Sequence, residues 1–158
     1  MKKIMIVDDN YLSAEGIEKN IDWETLNAEI IHVCYNGTSA IEAMKKEPAD
    51  LIISDIEMPD LDGISMSRQA LEINPMVKII LISAYDKFEY ARRALLLGAL
   101  DYIEKPLDYA YLIQKVKNAF ALMEREQKNL QLLKQSRPLL LSLIHISEPT
   151  RRSYISYA

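Results

Sequence analysis

The sequence is poor in cysteine and histidine, and this shortage excludes several kinds of site. Cys34 is the only cysteine among 158 residues, so the chain has no pair of thiols from which to form an internal disulfide. With one cysteine and two histidines, a zinc site is poorly supported. Because the lone thiol lies in the apolar run of residues 30–34, we interpret it as a buried core residue of a protein from a reducing cytoplasm.

Long hydrophobic runs and an excess of positive charge are also missing. No apolar stretch approaches the length of a membrane-spanning helix, and the N-terminal residues lead directly into a strand-like segment, so we predict neither a signal peptide nor a membrane anchor. Nineteen basic residues against twenty-three acidic ones give a formal net charge of −4. This balance disfavours direct binding of DNA by the chain.

Five short apolar runs alternate with five segments of helical spacing. The runs, which predict strands buried on both faces, are residues 3–7, 29–34, 51–54, 78–83 and 100–104. The predicted helices are residues 12–21, 38–46, 64–73, 88–97 and 109–135. Because parallel strands need crossover connections, this alternation predicts an α/β fold, a doubly wound five-stranded parallel sheet with helices on both faces.

The last predicted helix is longer than a sheet needs, and the segment that follows it has no regular pattern. Its apolar residues have near-heptad spacing with Glu126 at one core position, and they are Leu112, Val116, Ala119, Met123, Leu130 and Leu133. This spacing fits an amphipathic terminal helix or a dimeric coiled coil. We divide the chain into a domain of residues 1–120, a helical extension or linker of residues 121–138, and a tail of residues 139–158. The tail is interpreted as non-native or disordered, with a native extended arm as the alternative.

Polar and charged side chains collect where the predicted strands end. Asp8 and Asp9 follow the first strand, Asp55 the third and Lys105 the fifth, while Ser83 ends the fourth. In an open parallel sheet, ligands bind at the carboxyl ends of the strands, where the strand order reverses, so we expect these five side chains to converge. The order 2-1-3-4-5 makes the first and third strands neighbours. It therefore crowds three carboxylates together.

Three crowded carboxylates repel one another unless they are protonated or neutralised by a cation. Mg²⁺ prefers oxygen ligands, and those expected here are Asp8, Asp9, Asp55 and the backbone carbonyl of Glu57. With charge screened in this way, the Asp55 carboxylate can attack phosphorus to give an acyl phosphate. Lys105 would pair with the phosphoryl charge, and the Ser83 hydroxyl would donate to a phosphoryl oxygen.

A simpler interpretation treats these residues separately. Asp8 and Asp9 would cap the first helix, and Lys105 would be a solvated surface charge. This interpretation leaves Asp55 unexplained, and it does not account for the shared location of the group.

Four segments together resemble the signature of a known family. They are Ile-Val-Asp-Asp at residues 6–9, Asp-Ile-Glu-Met-Pro-Asp-Leu-Asp-Gly at residues 55–63, Ile-Ser-Ala-Tyr at residues 82–85 and Lys-Pro at residues 105–106. Over residues 2–120 the chain is similar to the receiver domain of bacterial two-component response regulators. The resemblance implies the flavodoxin-like receiver fold and a signalling switch that is phosphorylated by a sensor histidine kinase.

The resemblance also implies a role for each site residue. Asp55 is the phosphoacceptor, Asp8 and Asp9 are magnesium-binding acids, and Lys105 pairs with the phosphate. Ser83 is the switch hydroxyl and Tyr102 the switch aromatic, and phosphorylation draws both towards the interior. This movement remodels the face formed by the fourth helix, fifth strand and fifth helix. A homodimer through that face or through the extended C-terminal helix is the corresponding expectation.

Two positions beside the site are expected to tune the lifetime of the phosphoryl group. They are Glu57 and Tyr85, each two residues beyond a residue of the family pattern. A bulky Tyr85 is expected to hinder the attacking water.

Two further segments resemble one receiver subgroup. They are Ile-Asp-Trp-Glu at residues 21–24 and Ser-Ala-Tyr-Asp-Lys-Phe-Glu-Tyr-Ala at residues 83–91. In that subgroup the receiver precedes an AraC-type helix-turn-helix domain, which implies regulation of transcription. The chain is too short to hold such a domain, so DNA binding is expected only through a missing output domain.

Two functions of other classes fit less well. A magnesium phosphohydrolase of the haloacid-dehalogenase type would use Asp55 as its nucleophile, but those enzymes carry Asp-x-Asp after the first strand. A flavodoxin-like cofactor module would need a Ser/Thr-rich phosphate loop where this chain has Asp-Asp-Asn-Tyr at residues 8–11. We therefore predict a switch and not an enzyme.

Overall fold

The structure is a computed structural model that describes residues 1–84 and 88–135, with the side chain of Phe88 excepted. The strands are β1 (Lys2–Val7), β2 (Ala28–Cys34), β3 (Leu51–Asp55), β4 (Lys78–Ser83) and β5 (Asp101–Glu104). The helices are α1 (Tyr11–Asn20), α2 (Gly37–Lys46), α3 (Gly63–Ile73), α4 (Phe88–Leu97) and α5 (Tyr109–Gln135).

The five strands form one parallel sheet in the order β2-β1-β3-β4-β5. The fold class, the strand order and the long C-terminal helix predicted from the sequence are confirmed. In the register, Val7 pairs with Ser54, and Asp55 pairs with Ile82. The carboxyl ends of β1, β3 and β4 therefore lie along the same edge of the sheet.

The sheet has a buried apolar layer on each face. One layer joins strand and helix residues, namely Met5, Val7, Ile52, Ile79 and Leu81 with Ala40, Met44, Met66, Ala70 and Ala94. Because successive side chains of a strand point to opposite faces, the buried Ile4, Ile6, Ile53 and Ile80 point to the other one. Because these strands are buried on both faces, most of their residues are apolar, which explains the continuous apolar runs in the sequence. Cys34 is buried, as predicted, and burial raises the pKa of its thiol to about 11.

Polar side chains cap the helices that follow β1, β2 and β3. Asn10 accepts hydrogen bonds from the backbone N–H groups of Leu12 and Ser13 at the start of α1. Asn36 and Asp62 take the corresponding position before α2 and α3. Each side chain satisfies N–H groups that have no partner inside the helix, which fixes where the helix begins.

Met1–Phe120 form one compact unit, and the described residues after Phe120 belong to a second. The buried residues of α5 all lie within the first unit, and they are Leu112, Val116, Ala119 and Phe120. The proposed linker (121–138) and tail (139–158) stay predictions, since residues 136–158 lie outside the described part. None of the described helices is long and apolar enough to cross a membrane.

Candidate functional site

Three carboxylates come together at the carboxyl edge of the sheet. Asp55 is the last residue of β3, and Asp8 and Asp9 directly follow the neighbouring strand β1. One carboxylate oxygen from each of the three lies within 4.8 Å of the others. Asp8 and Asp55 are buried and Asp9 is exposed. Solvent therefore reaches the cluster most readily at Asp9.

Burial raises the pKa of both inner carboxyl groups. For Asp8, burial is the largest cause, a hydrogen bond from the Asn10 backbone N–H opposes it, and the nearby Asp55 adds to it. For Asp55, burial is again the largest cause, and the charge of Lys105 is the main opposing effect. Keeping both groups ionised at neutral pH thus costs free energy, and a cation bound between them would offset that cost.

Lys105 brings one positive charge to the cluster. Its Nζ lies 3.3 Å from Asp55 Oδ2 and 3.7 Å from Asp8 Oδ2. Its backbone N–H donates to the carbonyl oxygen of Ser83 at 2.8 Å, which ties the end of β5 to the end of β4. The Lys105–Pro106 peptide bond, whose isomer the sequence left open, is cis. One ammonium group against three carboxylates leaves the cluster with a net negative charge.

Ser83 and Tyr102 lie on the neighbouring strands β4 and β5. Ser83 is the last residue of β4 and is fully buried. Tyr102 pairs with Leu81 in the register and is half-buried against the core. Both residues are thus on the side of the site away from β1. Their predicted switching roles concern a phosphorylated conformation and stay predictions. Tyr85 lies outside the described residues.

The side chain of Glu57 adds a feature that the sequence did not reveal. Its Oε1 atom is buried, and it has no hydrogen-bond partner among the described residues. A cavity of about 420 Å³ adjoins it, lined by Asp9, Ile56, Glu57, Met58, Pro59, Asp62, Tyr90 and Arg93. An orphaned oxygen beside a carboxylate cluster fits a site built for a hard cation and its waters. The only sign of this feature in the sequence was the presence of an acidic residue two positions after Asp55.

Gly63 lets α3 start directly against the end of β3. A Cβ atom at this position would collide with the backbone carbonyl oxygen of Asp55. The Gly63 N–H donates to the carbonyl oxygen of Ile56 at 2.8 Å and closes the loop between the two elements. Gly63 therefore helps to hold the loop that carries Glu57.

A second cavity, of about 380 Å³, lies on the other side of Lys105. Its lining comes from the start of α1, from β4 and from the loop between β5 and α5, and consists of Asp8, Asn10, Leu12, Ser13, Ile17, Ile82, Lys105, Pro106, Leu107 and Tyr109. The β5–α5 loop is therefore not packed against protein along its whole length.

Comparison with known proteins agrees with this fold and arrangement. The chain is 30% identical over 126 residues to the transcriptional regulatory protein YesN of Bacillus subtilis (strain 168), covering 80% of this chain and 34% of YesN. It therefore spans about a third of that relative, and 44% of the HptR regulator of Staphylococcus aureus.

Two solved structures are similar along nearly their whole length. The REC domain of AraT, a response regulator from Geobacillus stearothermophilus, superposes with a TM-score of 0.75 at 34% identity, covering 80% of this chain and 98% of that one. The two component transcriptional regulator AraC from Clostridium phytofermentans ISDg gives a TM-score of 0.72 at 30% identity, covering 82% and 99%. The subgroup resemblance seen in the sequence is thus confirmed among the structural neighbours.

The model of the response regulator receiver domain matches residues 4–117, which include most of β1, all of β2 to β5 and the start of α5. The sheet order and the acids at the ends of β1 and β3 lie within this match. The chain belongs to the response regulator receiver domain family.

Proposed function

We propose that the chain is a phosphoacceptor switch in which Asp55 accepts a phosphoryl group from a sensor histidine kinase. The observation that carries the proposal is the cluster of Asp8, Asp9 and Asp55 oxygens within 4.8 Å, with Lys105 at 3.3 Å from Asp55. A nucleophilic carboxylate, further acids for a metal and one cation for the phosphoryl oxygens are the parts that this transfer needs.

Each site residue has a separate role in the phosphoryl transfer. An Asp55 carboxylate oxygen forms a bond to phosphorus while the phosphorus–nitrogen bond of the phosphohistidine breaks and the imidazole leaves. Asp8, Asp9, Asp55 and the backbone carbonyl of Glu57 would hold Mg²⁺, which when bound supplies positive charge to the phosphoryl oxygens. Lys105 pairs with a phosphoryl oxygen, and the Ser83 hydroxyl donates to another.

The switch acts through Ser83 and Tyr102. Phosphorylation draws the Ser83 hydroxyl towards the phosphoryl group, and Tyr102 moves towards the space this opens, which changes the surface of α4, β5 and α5. Burial of Ser83 and half-burial of Tyr102 support this order of events, because a side chain with little free space moves only when its neighbour does. The chain is therefore a switch and turns over no substrate of its own.

The output of the switch lies in a part of the protein that the chain does not include. Residues 1–120 form the receiver domain, and residues 121–138 lead as a linker towards a DNA-binding output domain. The tail of residues 139–158, predicted from the sequence to be non-native or disordered, lies outside the described residues. The length of the relatives supports a further domain, since the chain covers 34% of YesN. We infer that the whole protein regulates transcription in the cytoplasm and contacts DNA only through that domain.

Two surfaces are candidates for pairing with a second copy. On α4, Leu95 and Leu96 are 74% and 77% exposed, which supports a dimer through the face of α4, β5 and α5. On α5, Leu130 and Leu133 are 49% and 51% exposed at heptad spacing, which supports pairing through the extended helix. Both remain open.

The mass of the intact protein after incubation with acetyl phosphate tests the proposed function. One added phosphoryl group is expected with Mg²⁺ and none in EDTA, because the crowded carboxylates need a cation before an anionic donor can approach. Asp55→Asn should carry no adduct. Asp60→Asn is the matched control, since Asp60 is an exposed acid close in sequence, and it should be phosphorylated like the wild type. An adduct on Asp55→Asn would contradict the proposal.

A further inference from the structure

Gly16 occupies the middle of α1, where glycine weakens a helix relative to alanine. The structure shows what the missing side chain makes room for. A Cβ atom at position 16 would collide with the hydroxyl oxygen of Tyr109, while it would lie 3.6 Å from Tyr109 Cζ, an ordinary contact. The phenol ring of Tyr109 therefore lies against the backbone of α1 at the one place on that helix turn without a side chain.

Tyr109 is the first residue of α5, and three residues separate it from Lys105. The loop between them is tied at the Lys105 end by the hydrogen bond to the Ser83 carbonyl. At the other end, Asp108 caps α5 by accepting from the Ala110 N–H at 3.0 Å. Since the loop is this short, the position of Tyr109 limits where the backbone of Lys105 can lie.

The cavity of about 380 Å³ shows why the contact with α1 matters. It separates α1 from the β5–α5 loop, and Lys105, Leu107 and Tyr109 line the loop side. Because no protein side chain fills this cavity, the contacts that cross it between the loop and α1 limit how far the loop can move. The packing of the Tyr109 ring on Gly16 is a contact of this kind.

We propose that Tyr109 is a positioning residue, which by packing on Gly16 holds the β5–α5 loop so that the Lys105 ammonium group reaches Asp55 and Asp8. The inference rests on the proposed function, since Lys105 acts there by pairing with the phosphoryl group. Tyr109 itself touches no reacting atom. Loss of the contact between Tyr109 and Gly16 moves Lys105 away from the site and leaves the three acids in place.

Four variants test this contact. Gly16→Ala displaces the hydroxyl end of the Tyr109 side chain, and Tyr109→Ala removes the ring. Tyr109→Phe keeps the ring and deletes the one atom that collides with a Cβ at position 16. The double variant Gly16→Ala with Tyr109→Phe should therefore accommodate both changes. Tyr111→Phe, an exposed tyrosine on the next part of α5, is the control for loss of a hydroxyl group.

The measurements are the second-order rate constant for phosphorylation by acetyl phosphate and the Mg²⁺ affinity from calorimetry. Gly16→Ala and Tyr109→Ala should lower the rate constant about ten-fold, because a small displacement of a positioned group is costly. Their Mg²⁺ affinity should not fall, because Lys105 is not a metal ligand. Tyr109→Phe, Tyr111→Phe and the double variant should match the wild type.

Three results would overturn the inference. The first is a wild-type rate constant in both Gly16→Ala and Tyr109→Ala. The second is a double variant as slow as Gly16→Ala, and the third is a parallel loss of Mg²⁺ affinity, which would mean general damage to the site. A wild-type protein that gains no phosphoryl group would contradict the proposed function itself, whereas unchanged variants of a phosphorylated wild type would contradict the role of Tyr109 alone.

Discussion

At the scale of single residues, Asp8 and Asp55 set the electrostatics of the site, and burial raises the pKa of both. A carboxyl group with a raised pKa binds its proton more tightly in the folded than in the unfolded chain. Its stabilising contribution is therefore full below the unfolded pKa and is lost as pH rises through the folded pKa. Once both groups are ionised, they lower the stability of the ion-free domain.

Asp8→Asn should therefore raise the free energy of unfolding at pH 7 in EDTA, by about 1 kcal/mol. The asparagine keeps the oxygen that accepts the Asn10 N–H, so the change removes charge and retains the hydrogen bond. Mg²⁺ at about a hundred times its dissociation constant should stabilise the wild type by about 2.7 kcal/mol and the variant much less. Urea unfolding with EDTA or with Mg²⁺ measures both effects.

The pH dependence of the same variant provides the check on the cause. Its advantage over the wild type should shrink as pH falls and the carboxyl group of Asp8 becomes protonated, because the two side chains are then both neutral. Asp60→Asn serves as the control for loss of an exposed acid. A variant less stable than the wild type at pH 7 in EDTA would show that the Asp8 charge stabilises the domain.

Individual site residues were predictable from the sequence to different degrees. Asp8 and Asp55 could be assigned to one edge of the sheet because each directly follows or ends a buried strand. The contact of Gly16 with Tyr109 could not, because it joins two helices far apart in sequence and depends on their packing. The orphaned oxygen of Glu57 likewise depends on which way its side chain turns.

At the scale of elements, the predicted helices α1, α2 and α3 began one residue late. Each helix starts directly after its cap, which is Asn10, Asn36 or Asp62, so the cap residue marks the first helical position more closely than the apolar pattern does. The predicted β3 ended at Ser54, and the strand includes Asp55 because its pairing with β4 continues to Ile82. A charged residue at a strand end gives no apolar signal, so the pattern stops before the ladder does.

The cap of α2 provides a test at this scale. Asn36→Ala removes the oxygen that accepts the Ser39 N–H at 2.7 Å, and the free energy of unfolding should fall by about 1 kcal/mol. The dependence of stability on urea concentration should not change, because the loss is local. Ser39→Ala is the control, since it leaves the backbone N–H in place at an exposed position. Equal stability of both variants would mean that water replaces the cap without cost.

At the scale of the whole molecule, the alternation of strands and helices predicted a doubly wound parallel sheet. The order 2-1-3-4-5 is one of the common orders of such sheets and did not follow from the alternation alone. The sequence could not define the role of α5 beyond Phe120, since its heptad spacing fits a terminal helix and a coiled coil alike. The chain also covers only 34% of YesN, so an output domain stays a proposal.

The central claim is that a magnesium-dependent acyl phosphate forms on Asp55. Borohydride reduces an acyl phosphate to an alcohol and leaves a free carboxylate unchanged, so it marks the modified residue. Peptide mapping after incubation with acetyl phosphate and Mg²⁺, followed by borohydride, should find homoserine in place of Asp55 and unchanged Asp8 and Asp9. Homoserine at Asp8 or Asp9, or at no position, would contradict the account.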